Sequence, residues 1–123
     1  MSQRILVVED HEDNRQILRD LLATAGYEMV EAHDGEQALV QVAASLPHLI
    51  LMDIQLPGID GYEVTRRIKA DPALAAIPII AVTSYALTGD DAKARAAGCD
   101  DYVAKPFSPR QLLQKIREYV SLT

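Results

Sequence analysis

Cysteine is almost absent from this 123-residue chain. Cys99 stands alone, so no intrachain disulfide and no cysteine metal cluster can form, and it reads as a small buried apolar residue near a helix end. No apolar stretch approaches the length of a membrane span. The first strand begins within a few residues of the N-terminus, which leaves no space for the regions of a signal peptide, and a cytoplasmic protein with no membrane partner is expected. Basic residues are scarce as well: 12 Lys and Arg face 18 Asp and Glu, for a formal net charge of -6. That balance argues against nucleic-acid binding, which draws on Lys and Arg to neutralise phosphates. The densest basic stretch, Arg66, Arg67 and Lys69, reads as a solvated helix face. Repeats, low-complexity segments and linkers are missing too. The length suits one domain spanning 1–123, with nothing left over for an output module.

What is present is a set of unbroken apolar runs. Leu49-Ile50-Leu51-Met52 ends in Asp53, Ile5-Leu6-Val7-Val8 ends in Glu9-Asp10, and Ile79-Ile80-Ala81-Val82 ends in Thr83. Such runs are the mark of parallel strands buried on both faces. Strands are expected over about Arg4 to Glu9, Glu28 to Ala32, Leu49 to Asp53, Ile79 to Thr83 and Asp101 to Ala104. The second is interrupted by Glu31 and the fifth is short, so both read as edges.

Helix starts are signalled by Asp13 with Gln16, Asp34 with Gln37, Asp60 with Glu63 and Ser108 with Gln111, the last followed by Pro109. Gly26 and Gly98 fit helix C-caps. Ile17, Leu18, Leu21, Leu22 and Ala25 form one face of the first helix, and Leu112, Leu113, Ile116 and Val120 one face of the last. The fourth helix, about Asp90 to Ala97, carries mainly alanines and is expected to be the most mobile. Five βα units with right-handed crossovers give an α/β, three-layer, doubly wound (βα)5 flavodoxin-like fold with strand order 2-1-3-4-5.

Ligands in such sheets bind outside the carboxyl ends of the strands. There the sequence gathers Glu9, Asp10 and Asp53, hard oxygen donors suited to Mg²⁺. At about 5 Å and an effective dielectric of about 20, each pair of carboxylates repels by roughly 3 kcal/mol, which a divalent cation would relieve. Lys105 adds a mobile positive charge and Thr83 a hydroxyl. A carboxylate can attack phosphorus to form an aspartyl phosphate. Phosphoryl transfer needs mostly positioning and charge neutralisation, tasks that Mg²⁺, Lys105, Thr83 and backbone N–H groups can divide.

On the acidic pair of VVED, the aspartate of LILMDIQLPGIDG, the threonine of IIAVTSYAL and the lysine of YVAKPF, the chain resembles the response-regulator receiver domains of two-component signalling. The resemblance implies that Glu9 and Asp10 help hold Mg²⁺, that Asp53 is the phosphoacceptor and that the backbone carbonyl of Gln55 completes the protein ligands. It further implies that Thr83 and Lys105 contact the phosphoryl group, that the Lys105–Pro106 peptide is cis, and that Tyr102 is the switch aromatic. Expected partners are a histidine kinase or histidine phosphotransferase and a downstream protein target. The state expected is a monomer, or a weak homodimer through the face of the fourth helix, fifth strand and fifth helix. MDIQLPGIDGYEV and AVTSYALTGD most resemble stand-alone receivers of the DivK kind and receivers of hybrid kinases. The protein is therefore expected to accept phosphate stoichiometrically rather than to turn over substrate. It signals by altered protein binding, or else carries phosphate within a phosphorelay or as the receiver of a hybrid kinase.

Two other classes make different demands on the same residues. A flavodoxin should carry a Ser/Thr-rich phosphate loop after its first strand, where this chain has Glu9-Asp10-His11-Glu12-Asp13. A haloacid-dehalogenase-type phosphatase should carry a second acid two residues beyond its nucleophile, where this chain has Gln55. His11 reads as a solvated loop residue, and His33 and His48 as surface residues without ligand spacing. Gln55 and Tyr85, two positions beyond Asp53 and Thr83, border the path of an attacking water in the family.

Overall fold

Apolar runs of strand length satisfy their backbone groups only by pairing with one another. In the computed structural model, which describes residues 3–83 and 90–120, the strands are β1 (Arg4–Val8), β2 (Glu28–Ala32), β3 (Leu49–Asp53), β4 (Ile79–Thr83) and β5 (Asp101–Ala104). They alternate with α1 (Glu12–Thr24), α2 (Gly35–Ser45), α3 (Gly61–Ala70), α4 (Asp90–Ala97) and α5 (Pro109–Tyr119). Every pairing is parallel and the order is β2-β1-β3-β4-β5, the flavodoxin-like arrangement expected. The three apolar runs occupy the centre, and the two weaker strands the edges. Tyr85 and the neighbouring AVTSYALTGD residues 84–89 lie outside the described residues.

Because side chains alternate across a strand, each central strand feeds two cores. Leu6, Val8, Ile50, Met52, Ile79 and Ala81 pack on the side of α2, α3 and α4 with Val42, Val64, Ile68 and Ala94. Ile5, Val7, Leu49, Leu51, Ile80 and Val82 pack on the opposite side with Leu18, Leu22, Leu112 and Ile116 of α1 and α5. The same alternation sorts the polar strand ends. Glu9 and Asp53 continue the parity of Val7 and Leu51, and Lys105 that of Val103, so all three belong to the α1/α5 side. Thr83 continues the parity of Ala81, and Tyr102 packs against that same α3/α4 core.

Three of the four expected caps form: Asp34, Asp60 and Ser108 accept from the backbone N–H of Gln37, Glu63 and Gln111. The first does not. α1 starts at Glu12 behind His11 with no side-chain cap, so Asp13 lies inside the first turn, where its charge still favours the helix N-terminus. Ile17 is a second correction. It is 56% exposed, while Arg15, Leu18 and Leu22 take the buried stripe. Lys69 is a third: Arg66 and Arg67 are solvated and paired with Glu63, but the Lys69 ammonium turns inward. It donates to the carbonyls of Ala75 and Ile77 and to Asp100 at 2.8–3.0 Å, pinning the chain that leads into β4. Gly26 and Gly98 follow their helices with φ of 89° and 111°, as C-cap glycines do. Cys99 is buried, and burial pushes its thiol pKa up. No helix among the described residues is long and apolar enough to cross a membrane.

Candidate functional site

β1 and β3 lie side by side with Val8 opposite Met52, which delivers Glu9 and Asp53 to adjacent positions at the carboxyl edge of the sheet. Both are almost fully buried, at 2% and 4% exposure. Lys105, just past β5, crosses above β4 and bridges them, its Nζ 2.9 Å from Glu9 Oε1 and 3.3 Å from Asp53 Oδ2. The lysine expected to be mobile is therefore fixed. Its backbone is held too: Lys105 N donates to the carbonyl of Thr83 at 2.7 Å, and the Lys105–Pro106 peptide is cis as the resemblance implied.

Two buried carboxylates and one ammonium leave an excess negative charge. Burial, and then a hydrogen bond shared with Glu9, push the Asp53 carboxyl up to about 6. Burial opposes the charge of Glu9 as well, but the hydrogen bonds from Asp53 and Lys105, the charge of Lys105 and the backbone N–H of His11 outweigh it. They draw Glu9 down to about 2. Donor counts explain the asymmetry. Glu9 accepts from Lys105, from Asn14 Nδ2 at 3.0 Å and from His11 N at 3.2 Å. Asp53 accepts from Gln55 N at 2.9 Å and from the longer arm of Lys105. The two carboxyls share one ammonium, and as pH falls Asp53 takes up a proton before Glu9 does. Burial works against the charge of Lys105, but its two carboxylate partners prevail and raise its pKa.

Asp10 sits beside this pair with its side chain 26% exposed. Its Oδ1 is buried with no hydrogen bond; His11 Nδ1 lies 3.2 Å away without the geometry of one. Oxygens of Glu9 and Asp10 and a ring nitrogen of His11 all lie within 4.8 Å of one another. A buried carboxylate oxygen lacking a donor, among hard ligands, fits a divalent cation of the Mg²⁺ kind. Gln55 reaches Asp53 through its backbone N–H.

Sequence reasoning passed over Asn14 and Arg15, which hold the side chain and the carbonyl of Glu9, and Gly61 at the start of α3. Gly61 N donates to the carbonyl of Ile54. A Cβ there would stand 2.5 Å from the carbonyl oxygen of Asp53 and 2.7 Å from Cα of Ile54, both backbone atoms that cannot step aside. Gly61→Ala is expected to destabilise the fold by about 1–3 kcal/mol by forcing the Asp53 loop to move. Urea unfolding checks this; a wild-type midpoint would contradict the tight fit.

Thr83, the last residue of β4, is 1% exposed. On β5, Tyr102 pairs with Ala81 rather than Thr83, so a small residue flanks the ring just below the threonine. Gln55 is half-buried, whereas His33 and His48 are exposed, and Arg4 N donates to His48 Nδ1.

The chain matches the family model described as the response regulator receiver domain over residues 5–117. The polar-differentiation response regulator DivK of Brucella ovis is 42% identical over 98% of this chain and 98% of its own length. The receiver domain of a Pseudomonas aeruginosa sensor histidine kinase, crystallised with magnesium coordinated in its active-site cleft, superposes with a TM-score of 0.90. It is 38% identical, covering 97% of this chain and 98% of that one. A chemotaxis response regulator of Vibrio cholerae superposes with a TM-score of 0.91 at 26% identity, over 98% and 100% of the two chains.

Proposed function

Because the chain belongs to the response regulator receiver domain family, we propose that Asp53 is its phosphoacceptor, loaded from a phosphohistidine of a histidine kinase or histidine phosphotransferase. The observation that carries this reading is the buried Glu9–Lys105–Asp53 constellation. An ionised Asp53 oxygen attacks phosphorus, the P–N bond breaks and the imidazole leaves with its electron pair. Lys105 and the hydroxyl of Thr83 take up negative charge on the equatorial oxygens. Glu9, Asp10, Asp53 and the carbonyl of Gln55 would hold Mg²⁺, which when bound neutralises both the acidic cluster and the incoming phosphoryl group. Acceptance is stoichiometric, with slow self-dephosphorylation. Incubation with Mg²⁺ and acetyl phosphate should modify Asp53 and no other residue by peptide mapping; label on another residue refutes the assignment.

The donor protein has a suitable approach. A cavity of about 480 Å³ opens beside Asp53 and Lys105, walled by Val7, Leu18, Val82 and Phe107, with the exposed Ile17 on its rim. An apolar rim around a buried nucleophile suits a helical donor that brings its histidine over Asp53. Ile17→Asp should therefore slow transfer from a phosphorylated kinase by about tenfold while leaving loading by acetyl phosphate unchanged. Equal effects on both donors would exclude docking at this rim.

Readout is assigned to the other side of the sheet. Phosphorylation draws the Thr83 hydroxyl toward Asp53 and thereby secures Tyr102 in the inward position it occupies on the neighbouring core. The α4-β5-α5 surface then changes its affinity for a downstream protein, or for a second copy of the chain. Coupling of this type is about 1–3 kcal/mol, or roughly 5- to 150-fold in affinity. Beryllofluoride should shift amide resonances of β5 and α5 in wild type but not in Thr83→Ala. Shifts confined to the Asp53 loop would favour the alternative, a carrier in a phosphorelay or the receiver of a hybrid kinase.

A further inference from the structure

We infer that Arg15 is a positioning residue for the acidic loop: its buried guanidinium fixes the backbone of Glu9, and through it the oxygens that Glu9 and Asp10 present to a divalent cation. This rests on the metal reading above. Arg15 is an unexpected occupant of the buried stripe of α1, at 6% exposure beside Leu18 and Leu22. A guanidinium leaves water at low cost only where its donors are met.

Here three elements face it, two of them accepting hydrogen bonds and the third supplying charge alone. Nη1 donates to the carbonyl of Glu9 at 2.8 Å, and Nη2 to the carboxylate of Glu12 at 2.6 Å. Nε lies 3.3 Å from Glu31 Oε1 on β2, close enough for charge pairing but without an aligned hydrogen bond. Arg19 closes the ring, with Nη2 2.6 Å from Glu31 and 3.4 Å from Glu12. Two arginines and two glutamates thus tie the first turn of α1 to the edge strand, and the carbonyl of Glu9 is the backbone acceptor that Arg15 adds to the network.

That carbonyl belongs to the peptide joining Glu9 to Asp10. Its orientation sets ψ of Glu9 and φ of Asp10, so it aims both carboxylates at once. The guanidinium reaches Glu9 through this carbonyl, and the peptide carries its hold to both carboxylates. A planar, rigid fork with donors in fixed directions suits the task; a lysine at this position offers one point charge and cannot serve three acceptors in those directions.

The test is a Mg²⁺ titration of wild type, Arg15→Lys and Arg15→Gln, followed by amide chemical shifts. Glu12→Gln serves as a control that removes a solvent-facing partner but keeps the bond to Glu9. Both Arg15 variants should bind Mg²⁺ about tenfold more weakly, the low end of what loss of an outer-shell partner costs. At saturating Mg²⁺ they should accept phosphate from acetyl phosphate at close to the wild-type rate, and the control should bind Mg²⁺ as wild type does. Arg15 variants that melt lower yet bind Mg²⁺ within about twofold of wild type would reduce Arg15 to a structural brace and overturn the inference. A rate defect that persists at saturating Mg²⁺ overturns it as well. If both variants are too unstable to titrate, Arg15→Met, which keeps the apolar packing of the stem and loses the bond to Glu9, decides: weaker Mg²⁺ binding supports the role, and unchanged binding refutes it. A wild type that shows no Mg²⁺ response would instead remove the metal reading itself.

Discussion

Asp53→Asn should abolish phosphorylation by acetyl phosphate and, in the same protein, raise the stability of the metal-free fold. The first effect follows from loss of the nucleophile. The second follows from the protonation state of the buried pair. The carboxyl of Asp53 titrates at about 6 in the fold, against an ordinary value of 3.8. Between these values the folded chain holds more protons than the unfolded one, so stability falls as pH rises through that window. Above it, ionised Asp53 burdens the fold by roughly 2–3 kcal/mol. Glu9 has the opposite sign: drawn down to about 2, it contributes stability that is fully present above 4.5 and lost as pH falls toward 2. Asparagine removes the Asp53 burden and keeps a side-chain amide that can donate to Glu9. Urea midpoints should show a gain of about 2 kcal/mol above pH 7 that fades below about pH 4. A variant no more stable than wild type at neutral pH would disprove the buried-charge account, and retained label would disprove the phosphoacceptor.

Mg²⁺ should stabilise the wild type strongly, and only where Asp53 can ionise. A ligand bound to the folded state at a hundredfold excess over its dissociation constant contributes about 2.7 kcal/mol, on the order of 10 °C in Tm for a domain of this size. Binding competes with the proton on Asp53, so the rise should be full near pH 8 and small near pH 5. Asp10→Asn should lose most of it, because Asp10 brings the buried oxygen that lacks a donor. Phosphoryl acceptance should fall over the same pH range, since the attacking oxygen must be ionised. Thermal melts with and without Mg²⁺ at the two pH values provide the measurement; a Tm indifferent to Mg²⁺ at pH 8 would contradict the proposed site.

The sheet was legible because burial on both faces leaves an unmistakable pattern: runs such as Leu49 to Met52 and Ile79 to Val82 have few other uses. Their polar final residues marked the edge where Glu9, Asp53 and Thr83 now stand. Less legible was whatever depended on tertiary pairing. Arg15 is charged and so reads as surface, yet it is buried because α1 packs beside Glu31 and under the carbonyl of Glu9. Ile17 is apolar and so reads as core, yet it lies at the margin of the stripe and meets a cavity instead of a neighbour. Asp13 resembled a cap, but the chain enters the helix earlier, at Glu12. Lys105 looked free to move because a sequence does not show that two carboxylates converge on it. The need for glycine at position 61 depends on an approach to the Asp53 carbonyl that only the folded loop creates.

The alternation of side chains along the strands carries a consequence for specificity. Glu9, Asp53, Lys105 and Ile17 are gathered toward α1 and α5, while Thr83 and Tyr102 belong to the core under α3 and α4. On the proposed function, writing and reading of the signal would fall to opposite sides of one sheet, joined through the strand ends of β3 and β4. Surface changes around Ile17 would then alter which protein loads the chain without disturbing what it reports to, and changes around Tyr102 would redirect the report without changing the donor. Such a fold could be rewired one connection at a time.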